Sequence, residues 1–186
     1  MSESNMQRVI NIGSEILKIM GMDSTSPTKA SRSEIHIRWM IRRDMPSILN
    51  IEEKSFEFPW SEETFIHYLR QRNCIGMVAQ MKEEVVGYMI YELHSQRLQL
   101  LNFASSPSTR NIGVGSAMVD KLISKLSFDR RNRIVVEVRE TNLKAQMFFK
   151  SRGFRAIGIL RDHYLDNVEE DAYIFQYRYE NGVLND

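Results

Sequence analysis

A single cysteine, Cys74, leaves this chain unable to form an internal disulfide, which fits a reducing compartment, the cytoplasm. Proline and glycine are sparse, at 4 and 9 of 186 residues, as in an ordinary globular protein rather than a low-complexity one. No apolar run reaches membrane-spanning length. The N-terminus carries Glu3 and lacks the charged-then-apolar layout of a secretory signal. Charge of one sign is also missing. The formal net charge is +1, which argues against nucleic acid or a membrane surface as the main target. Arg130, Arg131 and Arg133 cluster, but as a solvated helix-to-strand loop. His36, His67, His94 and His163 are scattered without metal-ligand spacing, so no metal is expected. What is present, 42% hydrophobic and 26% charged residues, is enough for one substantial core.

Two stretches of different character follow one another. Residues 1–33 read as an N-terminal extension and linker. Val9, Ile12, Ile16, Ile19 and Met20 recur at nearly helical spacing, and the polar, proline-interrupted run 23–33 separates them from the rest. Residues 34–186 form the domain proper. Ile35, Ile37, Trp39 and Ile41 alternate with polar positions as in a half-buried strand. Residues 45–56 are helical through Ile48, Ile51 and Phe56, and Ser61 N-caps a second helix that buries Phe65 and Leu69. Strands are expected over 75–80, 85–93 and 98–104, then a helix over 113–126. A two-sided buried strand follows at 134–138, then a helix over 143–152 stopped by Gly153. Two closing strands are expected near 155–160 and 172–179. The order β-α-α-β-β-β-α-β-α-β-β is that of a mixed α/β sheet with helices on its faces.

Between a strand and a helix lies Arg110-Asn111-Ile112-Gly113-Val114-Gly115. Its glycines permit a tight turn, and the helix that begins there offers unsatisfied N–H groups and the positive end of its dipole, a site suited to phosphate. The Walker A pattern is absent, and Met118 stands where a dinucleotide fingerprint needs its third glycine. By itself the loop is equally a turn that caps a helix.

The R-x-x-G-x-G loop and its flanking strands together resemble the GNAT family of N-acetyltransferases. Within it the likeness is to bacterial ribosomal-protein-alanine N-acetyltransferases and their eukaryotic N-terminal acetyltransferase relatives. The stretches that carry it run from Phe56-Glu57-Phe58-Pro59-Trp60-Ser61 through Leu101-Asn102-Phe103-Ala104 and Val136-Glu137-Val138-Arg139 with Asn142. The last is His163-Tyr164 with Glu170-Asp171-Ala172. The resemblance spans most of the chain. It implies a central mixed sheet of about seven strands in which two parallel strands splay apart, with helices on both faces.

That resemblance implies acetyl-CoA as the co-substrate and an amine as acceptor. Its pantetheine would lie against main-chain groups of Phe103, Ala104 and Ser105. Its pyrophosphate would lie on the loop formed by Arg110, Asn111, Ile112, Gly113, Val114, Gly115 and Ser116, with Asn142 adding a contact. Glu137, the only charge in Ile134-Val135-Val136-Glu137-Val138, would be the proton acceptor. The bland alternative is a strand-end carboxylate that meets solvent or pairs with Arg139. Pro59 and Trp60 would wall the acceptor groove opposite Tyr164, which either orients the amine or merely packs on the hairpin. The implied partner is a protein N-terminus, of a ribosomal protein or another, and the implied state a monomer or weak dimer.

Two positions depart from the family pattern. Phe149 stands where the family carries a tyrosine that protonates the departing thiolate. A phenyl ring can pack on the pantetheine arm but has no proton to give. Water, Tyr164 or slow turnover are the outcomes left open. Asn111 and Ile112 replace small or basic residues in the phosphate loop, leaving its backbone cradle intact. Acetylation of a small amine and non-catalytic acetyl-CoA sensing are the competing functions.

Overall fold

The computed structural model describes residues 35–165 and 169–179, all within the second of two units into which the chain divides, Ser31–Asp186. The expected extension over 1–33 lies outside the described residues.

Seven strands form one sheet in the order β1-β2-β3-β4-β5-β7-β6. They are β1 (Ile35–Trp39), β2 (Cys74–Met81), β3 (Glu84–Leu93), β4 (Arg97–Ser105), β5 (Arg133–Arg139), β6 (Arg155–Leu165) and β7 (Glu169–Arg178). Only β4 and β5 run parallel, and every other neighbouring pair is antiparallel. The hairpin between β2 and β3 turns at Lys82, whose φ of 56° is left-handed. Four α-helices join the strands: α1 (Met45–Ser55), α2 (Glu62–Leu69), α3 (Val114–Ile123) and α4 (Leu143–Ser151).

Each face of the sheet has its own core. On one side Met118, Val119 and Leu122 of α3 and Phe149 of α4 pack on Leu98, Leu100, Ile134, Val136 and Val138. On the other, Ile48 and Ile51 of α1 and Phe65 of α2 pack on Val78, Tyr88, Ile90 and Ala104. The run at 134–138 is apolar because β5 is covered on both sides. Ser61 caps α2, its Oγ accepting the Thr64 N–H at 3.3 Å, and Asn142 caps α4, its Oδ1 accepting the Ala145 N–H at 3.1 Å.

Three expectations shift. β1 ends at Trp39, and Trp39 and Ile41 are exposed rather than turned to the core. Lys125 sits 5.5 Å above the Trp39 ring, so part of that alternation serves the surface. The last hairpin is longer than the sequence suggests, with β6 running to Leu165 and β7 starting at Glu169. Arg161-Asp162-His163 lacks the alternation of a half-buried strand because it is a bulge. Leu160 pairs with Ala172 and Tyr164 with Glu170, leaving more residues on β6 than on β7 between them. Asp162 takes a left-handed φ of 48° there.

Candidate active site

β4 and β5 pair only from Arg97↔Arg133 to Leu100↔Val136. Beyond that point they part. Residues 101–105 run on beside β3, and Glu137, Val138 and Arg139 stay paired with Ile174, Tyr173 and Ala172 of β7. The cause lies in β4. Against β3, Ile90 faces Asn102 while Tyr91 faces Leu100, so Leu101 is an extra residue that bends the strand. The bulge also changes which side chains face which layer. Leu98 and Leu100 enter the α3 core, whereas Ala104 enters the α1–α2 core. The parting leaves backbone N–H and C=O groups of both strands without each other as partners, and such groups need some partner when buried.

α3 starts at the mouth of this opening. Asn111 and Gly113 are both left-handed, at φ 66° and 101°. Asn111 is one of the few residue types that tolerates this, and Gly113 needs no special allowance. Gly113 is the N-cap and supplies no side-chain acceptor, so the first N–H groups of α3 are not satisfied by a cap. Val114 is buried, while Arg110 and Asn111 are exposed. The second glycine has a packing reason too: a Cβ on Gly115 would stand 3.1 Å from Phe148 Cζ. Phe148 in turn stacks on Phe103 of β4, ring centroids 5.8 Å apart.

Glu137 is the first residue of β5 past the last β4 pair. Its Oε1 accepts from Gln99 Nε2 at 3.2 Å, and His163 Nε2 lies 3.0 Å from its Oε2. About a third of its side chain meets solvent (33%), so this carboxylate is not sunk in the core. Arg139 does not pair with it. Arg139 Nη1 donates to Glu170 Oε2 at 3.0 Å, and Glu170 Oε1 also accepts from the backbone N–H of Thr141 at 2.8 Å. The Arg139 guanidinium also lies 3.8 Å from the Tyr164 ring centroid and 5.2 Å from that of Phe58. The loop before α2 and the closing hairpin thus meet on either side of Arg139, beside Glu137.

The loop itself is held from below. Glu52 of α1 is 1% exposed. Its Oε1 accepts the Trp60 N–H at 2.8 Å and Asn102 Nδ2 at 3.1 Å, and the Tyr88 hydroxyl donates to Oε2. Burial pushes the Glu52 carboxyl up, against the opposing pull of the Trp60 N–H and the Asn102 amide. Trp60 stacks on Tyr68 at 4.7 Å and meets Phe65 edge-on at 5.4 Å, while Pro59 is exposed. Phe58 is the loop residue that reaches Arg139.

Two expected cofactor contacts have visible structural duties. Asn142 is exposed, and its Oδ1 is occupied in capping α4. Phe149 is 3% exposed, ringed by Phe103, Phe148 and Phe154 at centroid distances of 5.8, 5.2 and 5.1 Å. Cys74 is buried on β2, and burial followed by the charge of Glu92 pushes its thiol up, so it is no thiolate nucleophile for an acyl relay. The sequence singled out neither Glu52, Gln99 nor His163 as site residues. Only Gln99, between Leu98 and Leu100, shows a local signal, since Glu52 stands beside Glu53 and Lys54 and His163 beside Arg161 and Asp162.

A sheet opened between its two parallel strands, with a helix N-terminus at the mouth and a carboxylate where the strands part, is the architecture of an acetyltransferase. Residues 45–154 match the model of the Acetyltransferase (GNAT) family, and the chain belongs to that family of N-acetyltransferases, which draw their acetyl group from acetyl-CoA. Over 132 residues it is 30% identical to the [ribosomal protein bS18]-alanine N-acetyltransferase of Escherichia coli K12, an alignment covering 70% of this chain and 88% of that protein. The crystal structure of the Escherichia coli ribosomal-protein-S18-alanine N-acetyltransferase superimposes with a TM-score of 0.71 at 26% identity, over 81% of this chain and 97% of that one. Ard1 from Thermoplasma volcanium superimposes with a TM-score of 0.72 at 25% identity, over 80% and 99%.

Proposed function

We propose that this protein transfers the acetyl group of acetyl-CoA to the N-terminal α-amino group of a protein, in the manner of the ribosomal-protein-alanine enzymes it resembles, and does so in the cytoplasm. Acetyl-CoA supplies a thioester as the acetyl donor. The residues present suit that donor. The unpaired edges past Leu100 and Val136 offer main-chain partners to an extended pantetheine arm, with Phe103, Ala104 and Ser105 along it. The uncapped start of α3, from Asn111 to Ser116, suits the pyrophosphate. Arg110 stands at its exposed edge, and Phe149 and Asn142 support this wall through the aromatic cluster and the α4 cap.

Glu137 is the observation on which the proposal rests: a carboxylate at the parting of the strands, beside a groove bordered by Phe58, Arg139 and Tyr164. An amine must be neutral to attack a thioester carbon. At pH 7 removing its proton costs roughly 1 kcal/mol for a chain α-amino group of pKa about 7.7–8.0, and about 5 kcal/mol for a lysine near 10.4. A carboxylate base is therefore better matched to an N-terminus than to a lysine. Glu137 takes up that proton, Tyr164 and the Pro59–Trp60 loop hold the acceptor chain, and Gln99 keeps the carboxylate aimed into the cleft.

Thiol release from acetyl-CoA, measured over a library of peptides beginning Ala-, Ser- or Met-, tests this. Turnover is expected with at least one class of N-terminus, and Glu137→Ala is expected to lower kcat by roughly 10²–10⁴-fold. Turnover confined to small amines would remove the protein acceptor. Peptide turnover indifferent to Glu137→Ala would remove Glu137 as the base.

A further inference from the structure

Arg139 ends β5 two residues beyond Glu137, past the point where β4 last pairs with that strand. Its Cα partner across β7 is Ala172, but its side chain reaches on to Glu170, whose Oε2 accepts from Nη1 at 3.0 Å. Glu170 is in turn the Cα partner of Tyr164 on β6. The ion pair therefore carries the guanidinium to the Tyr164 ring, 3.8 Å from its centroid. Thr141 fixes the other oxygen of Glu170, through its N–H at 2.8 Å and its hydroxyl at 2.6 Å. The same guanidinium lies 5.2 Å from the ring centroid of Phe58, in the loop between α1 and α2. Phe58, Arg139 and Tyr164 are all half-buried, so water screens the charge only in part. The loop and the hairpin have separate supports: Glu52 of α1 holds the loop through the Trp60 N–H, and β5 holds the hairpin through β7. Arg139 touches both.

We propose that Arg139 is a positioning residue for the acceptor: its guanidinium sets the spacing between the two walls of the groove, the loop that carries Phe58 and the hairpin that carries Tyr164. This rests on that groove receiving the acceptor chain. The residue type matters. A guanidinium is flat and always charged, and it can donate to a carboxylate along its edge while lying against aromatic rings. A lysine ammonium can keep the ion pair with Glu170, but it is a compact point charge and cannot hold a carboxylate and two rings in one fixed arrangement. Arg139 acts on the reaction through Phe58 and Tyr164. Its loss is felt in acceptor binding, while the donor side, along residues 101–105 and the start of α3, keeps its own supports.

Arg139→Gln and Arg139→Lys are each expected to raise the acceptor KM roughly tenfold, with a smaller fall in kcat and the acetyl-CoA KM unchanged. A merely structural defect lowers the amount of folded enzyme, and with it kcat, and leaves both KM values where they were. An acceptor KM within about threefold of the wild type would overturn the proposal. So would an acetyl-CoA KM that rises in step, or a lysine variant with wild-type constants. Amide exchange in the free protein gives a readout without turnover. Residues 56–61 and 161–165 are both expected to exchange faster in Arg139→Gln than in the wild type, with residues 101–105 and 111–116 unaffected. Faster exchange in one wall alone, or in neither, would overturn the coupling. If small amines are acetylated and peptides are not, the acceptor reading fails, and exchange still decides whether Arg139 joins the two walls.

Discussion

Phe149 illustrates how one side chain is constrained from several directions. A tyrosine at this position would add a hydroxyl inside the cluster of Phe103, Phe148 and Phe154, where the ring is already 3% exposed. A buried hydroxyl without a partner costs about 1–3 kcal/mol. Phe149→Tyr is therefore expected to lower the melting temperature of the free protein without raising kcat, as thermal denaturation and thiol-release rates would show. A rise in kcat would mean that the thiolate lacks a proton source in the native enzyme. Glu137 belongs to the same scale: its Oε1 accepts from Gln99 Nε2 at 3.2 Å and its Oε2 lies 3.0 Å from His163 Nε2.

Among the elements, α1 has a duty beyond covering the sheet. Through Glu52 it ties the loop before α2 to β4, because one buried carboxylate accepts from Trp60 N–H, Asn102 Nδ2 and the Tyr88 hydroxyl. The groove wall and the strand that departs from β5 are thereby fixed relative to each other. Burial raises the Glu52 carboxyl above its ordinary value of 4.5. The native state then binds more protons than the unfolded chain between the two values. The contribution of this group to stability is full below the unfolded value and is lost as pH rises through the folded one. The stability of the wild type relative to Glu52→Gln, from urea denaturation, is expected to decline from acid toward neutral pH. A difference that is flat or grows with pH would contradict this. Glu52→Ala leaves the Trp60 N–H and Asn102 Nδ2 without this acceptor, each costing about 1–3 kcal/mol, while the Tyr88 hydroxyl keeps Asn102 Oδ1 at 3.1 Å.

At the scale of the molecule, the sheet is incomplete along the line where β4 and β5 separate. A ligand that binds there and not to the unfolded chain stabilises by mass action, about 2.7 kcal/mol at 100 times its Kd. Acetyl-CoA is expected to raise the melting temperature in proportion to the logarithm of its concentration. It is also expected to slow amide exchange in residues 101–105 and 111–116 more than in β2 or β3. Equal protection throughout, or none, would place the donor elsewhere.

Much of this protein was legible in the order of its residues. Period-two and helical spacing located the strands and helices, Ser61 marked a helix start, and Glu137 stood out as the lone charge in Ile134-Val135-Val136-Glu137-Val138. These are local properties, carried by neighbours a few positions apart, and a linear pattern can express them. What the pattern could not express is the meeting of Glu137 with Gln99 and His163, the stacking of Arg139 between Phe58 and Tyr164, and the burial of Glu52 under Trp60. Those depend on strand order, on the bulge at Leu101 and on the bulge at 161–163, each of which redirects side chains across distances no local spacing encodes. A bulge is favourable only when a neighbouring strand is there to be mismatched against, so it exists once the sheet has formed and not before.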